Sequence, residues 1–240
     1  MSRIAYSEPD SARFGAEIYR VQIADLAGAQ AADAEARAAG AELLILRCPV
    51  EQIAAVQHLE SQGFILCDTL VTYAGDTARF RESPADAGTE LRPYSGDQRD
   101  ALARAARSCF SEFSGHYHTD PRLDPAQATE VYVDQCMLAT EDAAGFVALS
   151  FTDGALSGFI TGTRETPQRG RVVLNAVLPA FRGRGIYGLV FREAGHRFAR
   201  EGVAELVIGT QLSNLAPPRV WVKHGLAFRE AAYTLHRWYR

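Results

Sequence analysis

The sequence predicts an α/β fold: a mixed central sheet over residues 90–240, preceded by a smaller α/β unit over residues 1–85. Three observations predict it. Segments with helical spacing alternate with short apolar runs of strand length. One helix–strand–helix–strand layout occurs twice, once toward each end of the chain. An apolar strand near Asn175 runs through a turn rich in glycine and arginine directly into an amphipathic helix.

Taken in order, Ala27 to Ala39 has helical spacing and stops at Gly40. Leu43-Leu44-Ile45-Leu46 is short enough for a buried strand. A helix is expected from about Pro49 to Gln62, ended by Gly63, and a strand from Phe64 to Tyr73. The polar stretch Ala74 to Glu90 contains Pro84 and lacks apolar periodicity, so it reads as the main linker. Beyond it, Leu91-Arg92-Pro93 is expected as a short strand and Gln98 to Phe110 as a helix. A polar loop, Ser111 to Pro125, precedes a helix from Ala126 to Leu138. Gly145 to Phe151 and Ala155 to Thr163 flank Asp153-Gly154, a hairpin signal. A strand (Val172 to Leu178), a long helix (Gly183 to Arg200), a strand (Leu206 to Ile208), a helix from about Asn214 and a final β pair complete the chain.

The duplication is visible in spacing. Gly40 and Gly63 are 23 residues apart, as are Gly202 and Gly225, so the layouts superpose at an offset of 162. A decayed internal duplication produces such a match, and so does coincidence between two ordinary αβα units.

Composition excludes several chemistries. With 47% hydrophobic and 22% charged residues the chain suits a folded protein. A net charge of −4 supplies no basic field, so neither nucleic acid nor an anionic membrane is an expected partner. The basic residues are 24 arginines and the single lysine Lys223, which leaves little for lysine Schiff-base chemistry or a Walker loop. No apolar run approaches the ~18 residues of a membrane helix. Met1 to Asp10 lacks the apolar core of a signal peptide, and Cys48, Cys67, Cys109 and Cys136 are scattered. A cytoplasmic location is expected, without a disulfide framework or a metal.

The most informative window is VLNAVLPAFRGRGIYGLVF, from Val173 to Phe191. Glycines at a strand-to-helix turn let backbone approach an anion, while first-turn N–H groups, the helix dipole and two arginines add positive potential. Such a turn is a pyrophosphate cradle; the plain alternative is a basic surface turn. The spacing of Arg182, Gly183, Arg184, Gly185 and Ile186 resembles the Gln/Arg-x-x-Gly-x-Gly/Ala signature of the GCN5-related N-acetyltransferase (GNAT) superfamily. Tyr187 stands where that signature has a small residue. The resemblance covers roughly Leu91 to Trp238. It implies a GNAT fold that binds acetyl-CoA as co-substrate and acetylates a small-molecule primary amine, with a homodimer left open.

The same resemblance implies site residues. Backbone donors at Asn175, Ala176 and Val177 are expected to hold the acetyl oxygen and pantetheine, with Leu178 alongside. Asn214, between a strand and a helix, matches the family's pantetheine-binding asparagine; a helix N-cap is the alternative role. A narrower resemblance, to sugar-nucleotide acetyltransferases of the TDP-fucosamine acetyltransferase type, rests on Asp10-Ser11-x-x-Phe14-Gly15, His116-x-His118-x-Asp120-Pro121 and Thr210-Gln211-x-x-Asn214. That group carries a degenerate GNAT-like half-domain before the catalytic one, and it implies an amino-sugar nucleotide as acceptor. Other amines (an antibiotic, an amino acid, a peptide) and a non-catalytic acyl-CoA sensor are the alternative functions.

One departure stands out. Seven residues after Asn214, where the subgroup has its tyrosine proton donor, this chain has Trp221, whose indole N–H is a weak donor. Either another group does this job, with Tyr187, His224 and Tyr233 as the candidate substitutes, or the thiolate leaves unprotonated, stabilised by nearby backbone donors. The loop with His116, Tyr117, His118 and Asp120 lacks further clustered ligands for a metal. It is expected to cover the acceptor, with His116, Tyr117 and His118 as sugar contacts or base and with Glu130 and Tyr132 lining the same cleft. A plain polar surface loop is the alternative.

Overall fold

Strand pairing joins both ends of the chain into one ten-stranded sheet in the computed structural model, which describes residues 3–82 and 88–239. The N-terminal part contains β1 (Ala5–Tyr6), α1 (Glu8–Phe14), β2 (Ile18–Gln22), α2 (Leu26–Ala38), β3 (Leu43–Pro49), α3 (Ile53–Ser61) and β4 (Ile65–Asp76). There follow β5 (Thr89–Pro93), α4 (Arg99–Phe110), α5 (His116–Thr119), α6 (Pro125–Glu141), β6 (Gly145–Thr152), β7 (Ala155–Thr166) and β8 (Arg169–Val177). The chain ends with α7 (Ile186–Arg200), β9 (Glu205–Gln211), α8 (Ala216–Lys223) and β10 (Ala227–Trp238). The sheet order is β1-β2-β3-β10-β4-β9-β8-β7-β6-β5. β2–β3 and β8–β9 are parallel and the other pairs antiparallel, so the sheet is mixed.

The offset of 162 reappears in three dimensions. Added to β3 it gives the bounds of β9, and added to β4 it gives those of β10. The final strands have changed places: β10 pairs with β3, and β4 pairs with β9. Trp238 opposite Leu43 corresponds to Asp76 opposite Glu205 under that offset. In the central β4–β10 ladder Leu70 faces Ala232, its own counterpart. The register shifts match too, since the residues skipped are Cys67 in β4 and Arg229 in β10. The two layouts are therefore related by a local two-fold through Leu70 and Ala232, and the C-terminal strand completes the N-terminal unit.

Three features differ from expectation. The expected linker is largely structured: β4 extends to Asp76, and a 3-10 turn, Thr77–Phe80, packs on the core. Its anchor is Phe80, 4% exposed, which lies against Gly195 of α7. Polar residues concealed it because its anchoring is carried by one ring; Pro84 lies outside the described residues. The expected final β pair is the single strand β10, kept continuous because both its edges find partners. β1, α1 and β2 were not anticipated, their apolar patterns being too short for periodicity to register.

The sheet separates two layers. Leu44, Leu46 and Leu235 pack under α2 and α3, while Ile160, Leu206 and Ile208 pack with Val190 and Phe191 of α7. Alternation along the paired strands puts these groups on one face. Ile18, Leu43, Leu149 and Phe159 fill the opposite face with Leu102 of α4 and Val133 of α6.

Candidate active site

The site begins where two parallel strands part. The β8–β9 ladder runs from Arg169/Glu205 to Val172/Ile208 and then ends, although both strands continue. Val173 is bulged out of the β7–β8 register at that point. The Thr161 hydroxyl patches the bulge, accepting from the Leu174 N–H at 3.0 Å. Leu178 N–H donates to the Ser157 carbonyl at 2.9 Å, and the Ala176 carbonyl faces Gly158 of β7. Strand alternation then turns Asn175 and Val177 into the opening. Ala176 and Leu178 are corrected on this point: their backbone groups serve the neighbouring strand, because successive residues address opposite edges.

The glycine turn closes one end. Gly183 and Gly185 have φ of 79° and 81°, a left-handed backbone that only glycine adopts without strain. Gly185 is the N-cap of α7 and no side chain caps that helix. The Gly188 N–H turns back to the Gly185 carbonyl at 3.0 Å, and the Ile186 and Tyr187 N–H groups, bonded to no described residue, remain available beside the exposed Arg182 and Arg184. A Cβ at either glycine would meet nothing within 4 Å, so the space over the turn is open. Arg182 Nε bonds the Val177 carbonyl at 3.3 Å, tying turn to strand. Ile186 is buried and contributes packing.

A cleft of about 1310 Å³ joins this turn to the N-terminal unit. Asn175, Val177, Arg182, Gly185, Tyr187 and Asn214 line it, together with His116, Tyr117, Tyr132 and His224. Asn214 donates from Nδ2 to Thr210 Oγ1 at 3.1 Å, and Leu215 occupies the cap position of α8. His224 lies at the end of α8 beside Phe80 and Phe191, on the α7 side of the cleft. Burial, then Arg192 and Lys223, hold its pKa below the usual histidine value.

Trp221 does not point free into the cleft. It is 1% exposed, and its indole N–H donates to the Tyr187 hydroxyl at 2.9 Å. Burial raises the Tyr187 phenol well above its usual pKa, so it remains protonated.

At the other end stands a buried relay. Asp120 Oδ2 accepts from His236 Nδ1 at 2.7 Å and from the Trp238 indole at 2.9 Å, and His236 Nε2 lies 3.0 Å from His116 Nδ1. Burial pushes the Asp120 carboxyl up, but hydrogen bonds from His236, the Arg122 backbone and Trp238 outweigh it and leave its pKa lowered. The carboxylate only accepts, so His236 Nδ1 carries hydrogen. For the neutral pair of rings His116 Nδ1–H donates to His236 Nε2. The His116 lone pair is then at Nε2, bonded to no described residue, on a ring that lines the cleft. Burial, then His236 and the cations Arg20 and Arg47, lower the His116 pKa well below its ordinary value.

His118 is corrected: it does not line the cleft. Its Nε2 bonds Thr129 Oγ1 at 3.2 Å and its ring stacks on Tyr132, because the short helix α5 turns alternate residues to opposite sides. Glu130 likewise leaves the cleft, paired with Arg107. Sequence reasoning missed His236, Asp68, Arg20 and Arg47. Only the insertion of β10 between β3 and β4 gathers them, and no local motif signals that. Cys67, Asp120 and His236 place ligand atoms within 4.8 Å of one another. Both ring nitrogens of His236 are engaged, however, and burial with Asp120 and Asp68 pushes the Cys67 thiol up to about 12.

Among the described residues, no helix is long and apolar enough to cross a membrane. Residues 100–226, just over half the chain, match the acetyltransferase (GNAT) family. The chain is 22% identical over 198 residues to the spore coat polysaccharide biosynthesis protein SpsD of Bacillus subtilis, covering 82% of this chain and 67% of that one. A GCN5-related N-acetyltransferase from Sphaerobacter thermophilus superposes with a TM-score of 0.63 at 17% identity, over 82% of this chain. The present chain spans 60% of that protein's length. A tandem GNAT protein from the clavulanic acid biosynthesis pathway gives a TM-score of 0.59 at 13% identity, over 93% of this chain and 76% of its own. The parted strands and uncapped glycine turn thus sit in a chain that belongs to the GNAT acetyltransferase family.

Proposed function

We propose that this protein transfers the acetyl group of acetyl-CoA to the primary amine of a nucleotide-linked amino sugar. The C-terminal unit binds acetyl-CoA, and the N-terminal unit, with β10 built into it, supplies the acceptor side. The observation that carries the reading is the Asp120–His236–His116 relay, which ends in a neutral imidazole nitrogen on the cleft opposite the glycine turn. The sugar class draws support from the similarity to SpsD, a polysaccharide biosynthesis protein.

The chemistry follows from those positions. His116 Nε2 removes a proton from the acceptor ammonium, and Asp120 through His236 stabilises the imidazolium that forms. The free amine attacks the thioester carbonyl. N–H groups of Asn175 and Val177, turned into the opening, meet the developing oxyanion. The leaving thiolate takes its proton from Tyr187, and the proton that the attacking nitrogen sheds as the amide forms restores the phenol. The CoA pyrophosphate lies over Arg182–Tyr187, and Asn214 contacts the pantetheine arm.

The test is acetyl-CoA turnover with a TDP-linked 4-amino-6-deoxyhexose against free amino sugars, aminoglycosides and amino acids. The sugar nucleotide is expected to show the highest kcat/KM, and His116→Asn to lower its kcat by about 10²–10⁴-fold. Faster turnover of another amine overturns the acceptor class. Full activity in His116→Asn overturns the base.

A further inference from the structure

Two arginines of the N-terminal unit line the acceptor end of the cleft, and the mechanism above gives them no role. Arg47 ends the inward face of β3. Its guanidinium is half-buried, yet it makes no hydrogen bond or ion pair with any described residue. Burial lowers its pKa, and Asp68 only partly offsets that. Leaving a guanidinium half out of water and unpaired is costly unless something anionic meets it. Arg20 lies on the neighbouring strand. Gln22 pairs with Arg47 and Arg20 with Ile45, so alternation puts both arginines on the face that carries His236 and Thr234. Further down that face the same strands bury Ile18, Leu43 and Ile45. Each strand therefore changes from core to cation where the cleft opens.

Arg20 is held in place. Its Nε bonds Asp10 at 2.6 Å, its guanidinium carbon lies 5.4 Å from the Tyr117 ring centroid, and the Tyr117 hydroxyl donates to the same Asp10 at 2.9 Å. That clamp uses one edge of the fork and leaves the terminal nitrogens. Asp68 belongs to the cross-strand row of Arg47 and Thr234, without reaching ion-pair distance of Arg47. Its Oδ2 accepts from the His116 N–H at 3.0 Å and from Gln211 at 3.3 Å. In that row Asp68 Oδ1 and Thr234 Oγ1 are buried without partners among the described residues, as is Oε1 of Gln211, which pairs with Leu70 on β4.

We infer that Arg47 and Arg20 form an oxyanion subsite for the acceptor, separate from the CoA turn, that grips a phosphate or carboxylate group while His116 addresses the amine. A guanidinium fork suits either anion. This inference deepens the proposed function, because the pyrophosphate of a nucleotide-linked sugar is the anion that reading supplies.

The test is calorimetric and needs no turnover. Protein saturated with CoA, so that the glycine turn is filled, is titrated with inorganic pyrophosphate and separately with malonate. Pyrophosphate is expected to bind once per chain. Arg47→Gln should weaken it about tenfold to a hundredfold, the scale of a charge-assisted pair, and Arg47→Lys should recover part. CoA affinity should stay as in the wild type. Arg20→Gln, nearer solvent, gives a second reading if Arg47→Gln lowers the thermal midpoint too far. Arg47-dependent preference for malonate keeps the subsite and removes the nucleotide, overturning the acceptor class alone. Binding of neither anion, or affinities indifferent to both arginines, overturns the subsite even if a sugar nucleotide is turned over.

Discussion

The indole N–H of Trp221 donates to the hydroxyl of Tyr187 at 2.9 Å, which joins the two positions where this chain departs from its family's pattern. Tyr187 stands in the glycine turn where a small residue is usual. Trp221 stands on α8 at the position where the sugar-nucleotide acetyltransferases that the sequence resembles have their acidic tyrosine. In the proposed mechanism the Tyr187 phenol on α7 takes the place of that tyrosine, and the indole orients it. The buried donor uses one lone pair of the phenol oxygen and leaves its O–H free to turn toward the cleft.

Tyr187→Phe should therefore lower kcat by about 10²-fold, within the range of general acid catalysis. It should also leave the Trp221 N–H buried and unpaired, costing about 1–3 kcal/mol. Trp221→Phe should keep most of the activity, since the indole only orients the phenol. Steady-state kinetics with CoA affinity and urea midpoints measured alongside separate the two. A collapse of kcat in Trp221→Phe, at unchanged stability, would give the indole itself a chemical role.

How far the sequence reveals this site depends on how local each part is. The turn Arg182–Tyr187 is six consecutive residues, and its glycines reflect positive φ, so it is legible. The offset of 162 is legible because Gly40, Gly63, Gly202 and Gly225 all end elements with a left-handed residue. The exchange of β4 and β10 is not. Both strands have the same pattern, and only pairing energy decides which edge each one takes. His236 and Arg47 meet His116 through that exchange, so the relay behind His116 and the paired arginines are invisible in spacing. His118 failed for the opposite reason: it is local to His116, but two positions along a helical turn rotate a ring by about 200°.

Gly185→Asp should abolish tight CoA binding. The φ of 81° strains any side chain, and a carboxylate over an uncapped helix N-terminus occupies the place of the pyrophosphate. Affinity should fall by at least about 100-fold, since a misplaced charge and a lost cradle act together. Calorimetry with CoA reads this directly, and unchanged affinity would remove the cradle from that turn.

CoA should bind once per chain. The offset places Arg20–Ile23 opposite Arg182–Gly185, and there the chain is strand β2 rather than a glycine turn. The following helix, α2, is already capped: Asp25 accepts from the Gly28 N–H at 2.8 Å and brings negative charge to the place a phosphate would need. A stoichiometry of two would contradict the division of labour between the units.

Gly195→Ala should destabilise the fold by about 1–3 kcal/mol, the usual cost of overpacking. A Cβ there would come within 2.4 Å of the Phe80 ring. Phe80→Ala as the second change should relieve the clash, so that the double variant loses less than the two singles together. Strict additivity in urea unfolding would mean that the segment after β4 is not anchored on α7.

Stability should fall on mild acidification, and the sign follows from three histidines. His116, His118 and His224 all have pKa values lowered from 6.5, in each case chiefly by burial. Below about pH 6.5 the unfolded chain takes up protons that the folded chain refuses, so the unfolded state gains. The loss begins near that value, grows as pH falls toward the lowered folded values, and is absent above it. Urea midpoints at pH 8.0, 7.0 and 5.5 should be level between the first two and lower at the third. His116→Asn, whose amide can still donate toward His236, should flatten the acid limb. The same lowering bears on catalysis, because a His116 that stays neutral puts no inflection of its own into kcat/KM between pH 6 and 8. Across that range the titration of the acceptor amine should be the one inflection in kcat/KM, and acceptors of different amine pKa should shift the profile in parallel. A fixed inflection near pH 6.5 for every acceptor would show that His116 titrates as an ordinary exposed histidine, and the buried relay would lose its place in the mechanism.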